Sequence, residues 1–213
     1  MMIPSTKLIL IACLSCLIYS TTAQKIKQCM CSDIAPCKQK FSESVNVCID
    51  QCKSHASKLG ADYGVLRQCF ASKEHMIKAT IQCEDAKLAG SCARVPGNMV
   101  NKRFEETLKL AAMSEMSNIL QSSGVLNQVK PLMGTGKKFY GCVSKCMKIK
   151  SGNCQEKLKC GLDLPTDTVL VQQTKQCAIQ SGFNTGVVRE LCNCAVKAGV
   201  RQLAGVCDKI VIQ

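Results

Sequence analysis

The spacing of the cysteines constrains this chain more than any other feature. Eight lie in one segment (Cys29, Cys31, Cys37, Cys48, Cys52, Cys69, Cys83 and Cys92) and eight in another (Cys142, Cys146, Cys154, Cys160, Cys177, Cys192, Cys194 and Cys207). None lies between Ala93 and Gly141. An even, dense set in an exported chain reads as a disulfide framework, so all sixteen are expected in bridges. The competing chemistry is metal binding by thiolates, which favours Cys-x2-Cys pairs, often joined by paired histidines. Here the close pairs are Cys-x-Cys (29/31 and 192/194) and Cys-x3-Cys (48/52 and 142/146), and there are only two histidines. Neither a metal nor a cofactor is expected.

Export is suggested by the first residues. Lys7 is the only charge before the apolar run Leu8 to Ile18, and the small residues Ser20-Thr21-Thr22-Ala23 follow. A basic start, a short apolar middle and a small-residue exit describe a secretory signal peptide. The run is shorter than the ~20 residues that span a bilayer as a helix. Residues 1–23 are therefore expected to be removed, together with Cys13 and Cys16, leaving a secreted, extracellular protein.

The two cysteine segments share an order of motifs. Each has a Cys-x3-Cys (Cys48/Cys52 and Cys142/Cys146), then a Gln-Cys (Gln68-Cys69 and Gln176-Cys177), then a closing Leu-Ala-Gly-x-Cys (Leu88 to Cys92 and Leu203 to Cys207). The lengths differ, with 44 residues from Cys48 to Cys92 against 65 from Cys142 to Cys207. The pattern reads as a diverged tandem duplication. It implies a first cysteine-rich module over 24–100, a cysteine-free amphipathic helix and linker over 101–136, and a second module over 137–213. Bridges are then expected to close within each module.

The fold class is expected to be all-α: a disulfide-rich helical protein. From Phe41, apolar or cysteine positions recur at Val45, Cys48, Cys52, Ala56 and Leu59, which is the helical period. Gly60 is a plausible stop. Asn101 is placed to cap a helix from Lys102 to about Gln121, with Glu105 and Glu106 in its early turns. Its apolar residues include Phe104, Leu108, Ala112, Met113, Met116 and Ile119, a stripe expected to pack between the modules rather than to bind lipid. Val187 to Leu203 also reads as helix. With no Trp, three Tyr and five Phe, the core must come from aliphatic side chains, Met and half-cystines.

Charge supplies the one candidate binding feature. Without residues 1–23 the chain carries 27 Lys and Arg against 15 Asp and Glu. Eight lysines fall between Lys130 and Lys159, with Glu156 the only acid among them. Lys137, Lys138, Lys145, Lys148, Lys150, Lys157 and Lys159 are the anion-binding candidates. An exported protein would present such a patch to sulfated glycans, anionic headgroups or bacterial envelopes. Nucleic acid is not expected, because no aromatic residues are interleaved with the lysines for base stacking.

No catalytic residues are assigned. A helical, disulfide-rich phospholipase would need a His-Asp pair and a glycine-rich calcium loop, but His55 is followed by Ala56 and His75 by Met76. The spacings Cys48-x3-Cys52 and Cys83-x8-Cys92 resemble those of insect odorant-binding proteins, over one half of the chain only. That resemblance implies a carrier of small hydrophobic ligands. Cys29-Met-Cys31-Ser-Asp-Ile-Ala-Pro-Cys37, leading to Val47-Cys48-Ile-Asp-Gln-Cys52-Lys, resembles nematode secreted cysteine-rich proteins of the chondroitin-proteoglycan type. It implies an extracellular structural or interaction protein without catalytic residues. Ser123-Gly124, Ser151-Gly152 and Ser181-Gly182 lack a preceding acidic cluster, and no Asn-x-Ser/Thr occurs. The sequence thus points to a secreted, non-enzymatic interaction or structural protein with a basic surface. The alternatives are a carrier of small apolar ligands and a membrane- or microbe-binding defence protein.

Overall fold

A computed structural model describes residues 24–212; the expected signal peptide lies outside them. The elements in chain order are β1 (Lys25–Lys27), α1 (Cys31–Gln51), α2 (Ser54–Ser57), α3 (Tyr63–Ala71), α4 (Glu74–Lys87) and β2 (Met99–Asn101). They continue with α5 (Glu105–Ser122), α6 (Leu126–Lys150), α7 (Cys154–Leu158), α8 (Asp167–Gln180) and α9 (Thr185–Lys197), then single 3-10 turns at Arg201–Leu203 and Cys207–Lys209. The all-α, disulfide-rich class is correct.

Several helix boundaries follow directly from local chemistry. The Asp62 side chain caps α3 by accepting from the Val65 N–H at 2.9 Å, and Asn184 caps α9 through Val187 N–H at 3.1 Å. α1 buries Ile34, Cys37, Ser44 and Cys48, spaced for one helical face. It stops at Gln51, so the single helix expected through Leu59 is broken into α1 and the one-turn α2. The helix expected from Lys102 starts at Glu105 instead. Asn101 does not cap it, because it is the last residue of β2 and pairs with Lys25 in the antiparallel β1–β2 ribbon. The helix expected to Leu203 ends at Lys197. Gly199, at φ +114°, then turns the chain so tightly against Gly60 that no side chain fits there.

The eight bridges are Cys29–Cys160, Cys31–Cys92, Cys37–Cys154, Cys48–Cys146, Cys52–Cys142, Cys69–Cys194, Cys83–Cys177 and Cys192–Cys207. All sixteen cysteines are paired. The expectation that bridges close within modules is overturned, since only Cys31–Cys92 and Cys192–Cys207 stay within one segment. The reason is geometric. α1 and α6 lie side by side and antiparallel, so their Cys-x3-Cys pairs face each other as two rungs, 48 with 146 and 52 with 142. The boundary drawn at 136/137 also falls inside α6, which runs unbroken from Leu126 to Lys150.

The pairing has an internal symmetry. Exchanging Cys48 with Cys142 and Cys52 with Cys146 turns one rung into the other. Exchanging Cys69 with Cys177 and Cys83 with Cys194 turns the Cys69–Cys194 bridge into Cys177–Cys83. Helix contacts obey the same exchange: α3 packs on α9, and α4 packs on α8. Both long helices also carry a proline at their sixth residue, Pro36 in α1 and Pro131 in α6.

The buried interior is divided into two small clusters. One gathers Leu120, Val125, Cys192, Val206, Cys207 and Ile210, where the α5–α6 turn meets α9 and the C-terminal turns. The other is built on Cys29, Ile34 and Cys37, with Cys92, Cys154, Cys160, Leu158 and Leu162 against it. Sulfur takes the places that aromatic rings would fill in a typical core.

Candidate functional site: the lysine face of α6 and an apolar groove

α6 carries most of the candidate lysines because its other side is spent on α1. Cys142 and Cys146 are tied to α1 and Met147 is buried. At ~3.6 residues per turn, Lys130, Lys137, Lys138, Lys145 and Lys148 fall within about a third of the helix circumference. All five are exposed. From Lys130 to Lys148 the stripe runs about 27 Å along the axis. Lys130, Lys137, Lys138 and Lys145 enter none of the ion pairs formed among the described residues.

The remaining candidates separate from this stripe. Lys148 is paired with Glu156 of α7, and that hydrogen bond, with help from Glu105 and Glu106, holds its ammonium above the usual lysine range. Lys150 lies on the other side of the helix. There it lines a shallow recess with Lys145, Gln51 and Ile149, above the two α1–α6 bridges. Lys157 stands on α7, and Lys159 follows in a left-handed conformation (φ 49°). The Cys37–Cys154 and Cys29–Cys160 bridges anchor that segment to α1 and to the chain just after β1. Glu156 links it to the C-terminal end of α6. The seven candidates thus form a stripe with an outlying cluster at one end.

A second feature has no counterpart among the candidates. α5 and α8 lie against each other but leave a groove of about 620 Å³ between them, closed at its ends by residues of α4, α6, α9 and the C-terminal tail. Its lining is mostly apolar: Leu108, Ala112, Met116 and Ile119 from α5 face Leu170, Ala178 and Ile179 of α8. The stripe read on α5 is therefore real, but it does not seal. Leu120 is the one residue of α5 that is buried, and Met116 stays 50% exposed. Small residues at 112 and 178 leave the space unfilled. The sequence signals the stripe through its period, but the partner helix that fails to close over it is brought in by tertiary structure alone.

Polar groups at the groove are few and mostly partnered. Glu115 accepts from Lys175 at 2.8 Å and from Gln172 at 2.7 Å. These bonds, the one from Lys175 foremost, hold its carboxyl below the usual glutamate range. Lys109 stands over the Tyr140 ring at 5.4 Å. Glu84 borders the groove from α4, and its Oε1 is buried without a hydrogen-bond partner.

The histidines are far apart in their surroundings. His55 on α2 is half-buried with Nδ1 unpartnered, and His75 on α4 is exposed. Among the described residues, no helix is long and apolar enough to cross a membrane. The chain matches no protein-family model, no curated protein and no solved structure.

Proposed function

We propose that the protein is a secreted, non-enzymatic interaction protein that holds extended polyanions, such as sulfated glycans, along the lysine face of α6. Eight bridges accord with an oxidising compartment, outside the cell or on the way there. The apolar leader over residues 8–18 supplies the route. The observation that carries the reading is the row of unpaired, exposed lysines at 130, 137, 138 and 145, continued by Lys148, on a helix held rigid by two bridges. Neighbouring charges along the row lie within roughly 10 Å of one another. That is about the screening length at physiological salt, so they act jointly on a linear anion. The bridge exchange symmetry and the paired prolines support descent of the two halves from one duplicated unit that interlocked rather than closing separately.

The test replaces Lys137, Lys138, Lys145 and Lys148 with Gln and measures retention on a heparin matrix against salt. The expected outcome is earlier elution and a salt slope shallower by up to about four, one per lost contact, as for other polyanions. Stability should change by no more than about 0.5 kcal/mol. The control replaces Lys40, Lys53, Lys58 and Lys87, exposed lysines of the first half that form no ion pair among the described residues. Equal losses from both sets would mean diffuse charge and would remove the reading.

A further inference from the structure

We infer that the groove between α5 and α8 is a binding site for a small lipophilic molecule bearing an N–H donor, an aliphatic amine in its ammonium form. Three observations carry this. The first is size and lining: about 620 Å³ with a mainly apolar wall lies within the range of small-molecule sites. Ordinary close packing would not leave a space of this size.

The second is a balance of polar groups around the groove. Its two ammonium groups are engaged, Lys175 by Glu115 and Lys109 by the Tyr140 ring. Glu115 is saturated by Lys175 and Gln172, and Glu105 lies near enough to Lys148 to bear on its charge. Glu84 is the exception. An ionised carboxylate can only accept hydrogen bonds, and a buried oxygen without a donor is costly. Oε1 of Glu84 is in that position at the groove wall. A ligand N–H, charged and therefore strongly donating, meets the one unmet acceptor. A carboxylate headgroup would meet it with repulsion. This selectivity opposes what the protein's net positive charge would give by itself.

The third observation is the looseness of the wall. α5 buries only Leu120, and its middle is tied to α8 by polar contacts at Glu115. The Cys83–Cys177 bridge fixes α4 to α8 beside Glu84. One wall can therefore yield to admit a chain while the wall holding the carboxylate stays in place.

The experiment uses the oxidised mature chain and the fluorescent probe N-phenyl-1-naphthylamine. Dodecylamine, dodecanol and dodecanoate serve as competitors, each below its micelle concentration. Dodecylamine should displace the probe at a concentration about tenfold lower than dodecanol, the worth of one charge-assisted hydrogen bond, and dodecanoate should be weakest. Glu84→Gln should bring dodecylamine to the level of dodecanol and leave dodecanol unchanged. Ala112→Phe, which fills the groove, should abolish displacement by all three, with far-UV circular dichroism and the bridge map unaltered. Should Glu84→Gln misfold, Glu84→Asp supplies the arm, with weakened amine binding and retained alcohol binding expected. Absence of probe binding would overturn the proposal. So would equal displacement by amine and carboxylate, or full amine affinity in either Glu84 variant.

Discussion

At the scale of residues, the fold is tied across its halves by a few polar side chains. Tyr63 of α3 donates to Asp50 of α1, and Arg67 donates to Asp50 at 3.3 Å and to Asn46 at 3.0 Å. Burial first, and then the bond to Asp50, push the Tyr63 hydroxyl up to about 12. Between α5 and α8 the tie is Glu115, whose side chain is 16% exposed beside a Lys175 that is 23% exposed. A lowered carboxyl pKa in the folded state means that stability is present above the usual glutamate range and is lost as pH falls through the folded value. Glu115→Gln should therefore cost roughly 1 kcal/mol at pH 7, the upper end for a partly exposed pair. The gap from the unsubstituted protein should close below about pH 4. Urea unfolding at pH 7 and pH 3, without reductant, measures it. An equal gap at both values would show that the pair contributes through packing alone.

At the scale of elements, α1 and α6 form the stiffest unit, because two rungs one helical turn apart fix both their separation and their register. The amphipathic period of α1 is legible in sequence, and so is the placement of Cys48 and Cys52 on one face. The identity of the facing helix is not, since any of the other cysteines was an admissible partner. Replacing Cys52 and Cys142 together with Ala removes the rung nearest the α1–α2 break and a loop of sequence separation 90. The expected loss is about 2–4 kcal/mol. Hydrogen exchange should rise most in residues 52–60, where only the one-turn α2 follows, and less along α1 before Cys48. Uniform exchange along α1 would show that the two rungs act as a single brace. Removing this rung should also weaken heparin retention if the lysine stripe depends on a rigid α6.

For the whole molecule, the bridges decide what counts as a domain. Six of the eight join the first cysteine segment to the second. The loop holding Arg94 is exposed and lies outside every helix. A tryptic nick after Arg94 should therefore leave the chain running as one species without reductant. Reduction should then release fragments 24–94 and 95–213. Separation before reduction would contradict the pairing, and mapping of the unreduced peptides would show which bridges fail.

Cysteine number, helical period and charge were local properties, and the sequence by itself determined them. They establish a fully bridged, mainly helical, basic chain, with an apolar stripe on residues 108–119 and lysines grouped between 130 and 159. Two expectations failed because local spacing cannot see across the chain. Bridge partners were expected within segments, yet antiparallel packing of α1 on α6 brings residues with sequence separations of 90 and 98 together. Asn101 has the chemistry of a helix cap, but pairing with Lys25 holds it in a strand, because a ribbon partner some seventy-six positions away competes for the same backbone. Tertiary structure alone decided which lysines share a face, that Lys148 is paired with Glu156, and that α8 meets the α5 stripe without closing over it. Each depends on the relative placement of helices, which the bridges set and no period or composition encodes.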